Sequence, residues 1–201
     1  MDLAPQLTLE DENSFAWQVF HHRHPEMFRR LKDAHPYGPA QRAALDALLA
    51  ETFDGVISAV PEPVWRDWDR GNFGTPWAKA PFLWAESYFY RRLLDAVGYF
   101  ETGVDPFGPF KSAELRDPGL AADFDLPRTF DAMLTAALLG NRADLGFRLV
   151  AEGGDTIHDQ LVADDSDRLR QLLGTPGRVI FVLDNAGREL LSDLVFADYL
   201  L

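Results

Sequence analysis

Apolar positions recur at intervals of three and four along most of this chain, the spacing of amphipathic helices, and run together clearly only near the end. The first periodic stretch opens after Asn13 or Ser14, either of which suits a helix N-cap, with Phe15, Val19 and Phe20 on its stripe. Met27, Phe28 and Leu31 continue it beyond Pro25, so two helices or one kinked helix are expected. Residues 39–60 predict a long helix with proline in its first turn and Leu45, Leu48, Leu49 and Phe53 on its apolar side. A short helix is expected around Trp65 and Trp68, then a long one over 81–100 that starts at Pro81. A single turn is expected over 112–115 and a helix over 129–139. "DSDRLRQLLGTPGR" reads as a short capped helix ended by Gly174 and Pro176.

The continuous run at 179–183, "VIFVL", reads as a strand buried on both faces. Residues 187–201 then read as a helix with Leu190, Leu191, Leu194, Val195 and Tyr199 toward the core. The order is mostly helix over 1–175, then one strand and one helix over 176–201. A lone buried strand leaves its backbone groups unpaired, unless residues near 155–162 pair with it. The pattern therefore looks like the first half of a βαβ unit, the N-terminal portion of something longer, and an exposed strand of this kind is expected to self-associate.

Charge narrows the partners. With 32 acids against 19 Lys plus Arg, the formal net charge is −13, a field that repels nucleic acid and anionic membrane. No basic stretch exceeds Arg91-Arg92 or residues 21–30, so an anionic small substrate would be recruited by a metal or by a few arginines. The absence of cysteine excludes disulfides, thiolate metal sites and a cysteine nucleophile, and fits the cytoplasm. The acidic start lacks the apolar segment of a signal peptide, and no apolar run reaches membrane-spanning length.

Four stretches carry candidate chemistry. In "VLDNAGREL", Asp184 and Asn185 fall where ligands gather in open α/β sheets, at the carboxyl end of a strand. A carboxylate and an amide oxygen suit a hard divalent cation. Gly187 permits a tight turn into a helix whose N-terminus favours phosphate, and Glu189 stands in its first turn. A plain helix-capping Asp-Asn turn explains the same residues. In "WAESYFYRRLL", Glu86, Tyr90 and Arg91 share roughly one helix side; Arg91 or Arg92 suits a phosphate, and a surface ion pair is the alternative. "LLGNRADLGF" sets Asn141, Arg142 and Asp144 in a short loop after Gly140, either a substrate loop or a solvated helix end. "HHRH", with His21, His22 and His24, lacks HExxH spacing and reads as a partly exposed helix end. No GxSxG, phosphate-binding P-loop or GxGxxG is present.

"ENSFAWQVFHHRHPEMF", "PWAKAPFLWAESYFYRRLLDAVGYF", "DPFGPFKSAEL", "LLGNRADLGF" and "VIFVLDNAGRELLSDLVFADYLL" follow one another in an order that resembles the metal-dependent damage-control phosphatases. The closest branch is the one with the acidic residue methyltransferase-like proteins. The resemblance implies a mainly helical N-terminal lobe, followed here by the truncated start, one strand and one helix, of an α/β/α Rossmann-like lobe. It implies hydrolysis of small phosphorylated metabolites, including sugar phosphates, with Mn²⁺, Co²⁺, Ni²⁺ or Mg²⁺. Asp184, also the expected catalytic residue, and Asn185 match two metal ligands; Glu189 matches an acid near the ligand pocket. Asn141, Arg142 and Arg91 are expected to contact substrate. The third metal ligand, an aspartate at the end of the next strand, and an arginine–threonine–x–lysine motif are expected beyond Leu201, so the chain alone is expected to be incomplete. Methylation of protein carboxylates with S-adenosylmethionine is the alternative activity for this branch; a non-catalytic product is the other.

Overall fold

Ser14 opens the first helix: its Oγ accepts a hydrogen bond from the Trp17 N–H at 3.1 Å, satisfying a donor that every helix start leaves open. The computed structural model describes residues 5–120, 125, 127–140, 163–183 and 186–201. From Ser14, α1 (Phe15–Gln18) runs through a π-helical turn (Val19–Arg23) into α2 (His24–Ala34). Pro25 explains the wide turn. It has no N–H to give the His21 carbonyl, and in α geometry its ring would strike that oxygen. Widening the turn, with the His24 N–H donating to the Val19 carbonyl, accommodates both.

Helix α3 (Pro39–Asp54) ends before the expected residue 60. The chain turns at Gly55, and Val56 forms an antiparallel bridge with Pro76, while the Ile57 N–H donates to the Thr75 carbonyl at 2.9 Å. These pairings outcompete helical continuation because they bury Ile57, which is 1% exposed. Helix α4 (Pro63–Trp68) and a 3-10 turn (Trp77–Lys79) lead into α5 (Phe82–Val97). Gly98, at φ +75°, stops α5 in the left-handed conformation that glycine adopts without a Cβ penalty, and α6 (Tyr99–Thr102) follows. The expected single helix over 81–100 is thus broken at the glycine.

Two compact units divide the chain, Met1–Gly108 and Pro109–Leu201. The core of the first is aromatic. Phe89 on α5 packs on Phe28 and Phe20 with ring centroids 5.3 and 5.7 Å apart, and Trp77, Tyr88, Leu31 and Leu45 are sealed from solvent around it. Its polar edges are mostly paired: Trp77 Nε1–H donates to Glu51 at 3.2 Å, and the Tyr88 hydroxyl to the Ser58 carbonyl at 2.6 Å. Glu51 also takes both terminal nitrogens of Arg92, at 3.2 and 3.0 Å.

The second unit holds α7 (Gly108–Leu115), α8 (Phe130–Leu138), α9 (Ser166–Leu173) and α10 (Arg188–Leu200). Thr129 caps α8 through its hydroxyl, which accepts from the Ala132 N–H at 3.3 Å. Phe130, Met133, Leu134 and Phe196 form the core, joined by Leu169, Leu173, Phe181 and Tyr199.

Two expectations are corrected here. Residues 179–183 form no strand and are not buried on both faces. Val179, Ile180, Val182 and Leu183 are 50, 77, 88 and 47% exposed, and only Phe181 packs inward, against Phe196. No strand lies among the described residues and the Rossmann-like start is not seen there; residues 155–162, the expected partner segment, lie outside the described residues. Of the α10 positions expected toward the core, Val195 and Tyr199 pack against it and Leu190 and Leu191 are half-buried, but Leu194 faces outward, and the fully buried positions are Ser192 and Phe196. Among the described residues, no helix is long and apolar enough to cross a membrane.

Candidate active site

Gly187 sets the entry into α10. Its φ of +81° and ψ of −140° lie in a region that L side chains rarely enter. A Cβ there would stand within the Glu114 carboxylate. Glu114 lies close because its Oε1 accepts the Arg188 N–H at 3.0 Å, the first open donor of the helix, while Asp117 accepts from the Arg188 guanidinium. That charged hydrogen bond holds the Asp117 carboxyl below its usual range, helped by the Gly119 N–H. Gly187→Ala is therefore expected to destabilise the protein by about 2 kcal/mol, from backbone strain and displacement of Glu114. Urea unfolding monitored by circular dichroism measures it; a loss below about 0.5 kcal/mol would mean that the turn relaxes freely.

One close approach draws two of the sequence motifs together. A Cβ on Gly140 would lie 3.0 Å from Glu189 Cα, so the backbone ending α8 rests against the first turn of α10. Gly140 immediately precedes Asn141 and Arg142; Glu189 follows Asp184 and Asn185 by a few residues. Those four candidates, 141, 142, 184 and 185, lie outside the described residues. Glu189 itself is half-buried, and Asp193 stands one turn further along α10, its carboxyl pushed up by burial. Among the described residues, no group of three or more His, Cys, Asp or Glu side chains is placed to hold a metal ion.

Helix α5 separates the residues that its sequence seemed to group. Arg91 pairs with Glu62, lies 2.7 Å from Asp95, and packs 4.2 Å above the Phe100 ring. Glu86 and Tyr90 instead meet His24. The His24 ring stacks on Phe89 at 3.9 Å and nearly parallel, with Nε2 at 4.0 Å from Glu86 Oε1. His22 is exposed and His21 half-buried, so the stretch is partly exposed as expected, but it runs through the π-helical turn into α2 rather than ending a helix, and His24 is fully buried. Burial, reinforced by the neighbouring Arg23 charge, lowers the His24 pKa to about 3, so its ring is neutral. Burial also raises Glu86 and Tyr90, against the opposing pull of Arg23. Sequence reasoning placed His24 in a partly exposed helix end and gave Arg23 no role. The available signal was the proline directly after them, in a helix with no other break.

The profile of the family described as "Damage-control phosphatase ARMT1-like domain" matches residues 19–201. The chain is 27% identical over 165 residues to the damage-control phosphatase ARMT1 of Danio rerio, covering 62% of this chain and 37% of that protein. It is 29% identical over 170 residues to that of Bos taurus, with the same coverage. Against human ARMT1 the identity is 27% over 168 residues. The matched region spans about 37% of the length of the first two relatives.

Proposed function

The chain belongs to the damage-control phosphatase ARMT1-like family, and from that premise we propose that it supplies the first part of a metal-dependent phosphatase site for small phosphorylated metabolites such as sugar phosphates. The observation that supports this reading is the contact of Gly140, the residue before Asn141, with Glu189 in the first helical turn after Asp184 and Asn185.

The donor chemistry of Asp184 and Asn185, one carboxylate and one amide oxygen, fits a hard divalent cation, and these two residues would hold it. When bound, such an ion supplies Lewis-acid polarisation of a phosphoryl oxygen. Glu189 is proposed to orient the attacking water or a substrate hydroxyl, and Asn141 and Arg142 to bind phosphoryl oxygens. The remaining metal ligand is proposed to come from polypeptide that follows the matched part in the relatives.

Two adjacent oxygen ligands leave most of a cation's shell to water, so Mn²⁺ is expected to bind the chain with a Kd on the order of millimolar. Asp184→Asn is expected to change that value little. Calorimetry checks both. Micromolar binding lost in Asp184→Asn would show that another acid of this chain, first Glu189, Asp193 or Asp144, closes the site. Function is tested by fusing the chain to the part of the Danio rerio relative that follows its matched segment. Mn²⁺-dependent phosphate release from sugar phosphates is the expected result; its absence in a folded fusion overturns the reading.

A further inference from the structure

The polar cluster around His24 lies wholly within the first unit and has no part in the proposed metal site. His24 stands at the start of α2, and Glu86 and Tyr90 stand one turn apart on α5. Rings enclose the imidazole: Phe89 stacks on it, and Phe20 and Tyr90 meet it steeply inclined, with centroids 4.5 and 5.9 Å away. Its two nitrogens are sealed from solvent, and neither has a hydrogen-bond partner among the described residues. Burial without partners is costly, and the same core satisfies the polar atoms of Trp77 and Tyr88.

Glu86 faces the ring, but its Oε1 lies 4.0 Å from His24 Nε2, too far for a direct hydrogen bond. Packing opposes closing the gap. Phe89 holds the His24 ring and also packs on Phe20 and Phe28, so neither α2 nor α5 can slide without opening that aromatic core. A metal ion does not suit the pair, since no third His, Cys, Asp or Glu joins them among the described residues. One oxygen atom does suit it. Set off the line between the two atoms and about 2.8 Å from each, it sees them at an angle of roughly 90°, which a water molecule's donors and lone pairs can serve. The Tyr90 hydroxyl, close enough for Glu86 to act on it electrostatically, offers a third partner, and about three is the usual number for an internal water.

We propose that the first unit encloses one structural water molecule at this point, hydrogen-bonded to His24 Nε2, Glu86 Oε1 and the Tyr90 hydroxyl. The water joins α2 to α5 where His24 and Glu86 do not meet directly. It turns an unpaired core histidine into a fixed one, because the bond at Nε2 sets the orientation of the ring within its stack on Phe89. This site rests on the packing of the first unit alone, and it stands or falls apart from the proposed phosphatase function.

The direct test is a high-resolution crystal structure of the full chain, grown without added metal. A single oxygen peak within about 3.2 Å of both His24 Nε2 and Glu86 Oε1 is the expected result. An empty gap, an anomalous peak from a metal, or a Glu86 carboxylate moved onto His24 overturns the proposal. In solution, ¹⁷O relaxation dispersion counts long-lived internal waters. Glu86→Leu and His24→Phe each replace a polar partner with carbon, and each is expected to lose one such water relative to wild type. Glu86→Gln, which still offers an oxygen, is expected to keep it. Equal counts in all four proteins overturn the proposal, and so does loss of the water from Glu86→Gln. Circular dichroism checks that each variant folds; if Glu86→Leu does not, His24→Phe and the wild-type crystal decide.

Discussion

Asp184→Ala is expected to lower Mn²⁺-dependent phosphate release by the fusion about a thousandfold or more, with its melting temperature nearly unchanged. Asp184 is the charged member of the Asp-Asn pair, so its removal takes away the carboxylate on which metal retention depends and leaves a neutral amide. Lewis-acid stabilisation of a phosphoryl transition state supplies several kcal/mol, and each 1.4 kcal/mol, roughly, is tenfold in rate. Raising Mn²⁺ to tens of millimolar (roughly ten times the affinity expected of a depleted site) should recover part of the rate. Phosphate release by the purified variant across a metal titration is the measurement. A rate within about tenfold of the parent would leave Asp184-Asn185 as a helix cap and remove the metal from it.

Acidification from pH 7 to pH 4 is expected to destabilise the protein through His24 by roughly 3 kcal/mol. The folded-state pKa, about 3, lies far below the ordinary value of 6.5 because burial disfavours the charged ring and Arg23 repels it. Between those values the unfolded chain binds a proton that the folded one does not, so stability is complete above about pH 6.5 and falls as pH approaches 3. Glu86 works in the opposite sense. Its raised pKa favours the folded state below the ordinary carboxylate value, and that contribution is lost as pH rises through the folded pKa. Other carboxylates add their own slopes, so the His24 share is read as a difference. Urea unfolding of wild type and His24→Phe at pH 7 and pH 4 should show the variant losing about 3 kcal/mol less. Parallel losses in both proteins would mean that the folded structure admits the proton or opens to solvent at His24.

Local signals fared best where the physics is local. Ser14 caps α1 and Thr129 opens α8 as their side chains dictate, while Gly98, inside the helix expected over 81–100, went unread as a stop. Gly187 was legible because the turn into α10 needs a positive φ. Pro25 was legible as an interruption but not as a π-helical turn, since whether a helix breaks, kinks or widens at proline depends on what its two halves bury. Here Phe20 and Phe28, on either side, both pack on Phe89.

The sequence by itself determined a mainly helical chain, several of the places where its helices start, and the motif set whose family the profile match then bore out. Those follow from hydrogen bonds and dihedral preferences within a few residues. Tertiary structure decided that the apolar run 179–183 stays mostly exposed, with only Phe181 turned onto Phe196, because burial depends on which surfaces meet it and not on the run itself. It decided that α3 stops at Gly55, because Ile57 is buried by pairing with Thr75. It also divided α5 between two roles, with Arg91 drawn to Glu62 and Asp95 while Glu86 and Tyr90 close around His24. Helical spacing places those three residues on roughly one side, but Glu62 and His24, which face them, belong to segments distant in the chain, and only the fold brings those together.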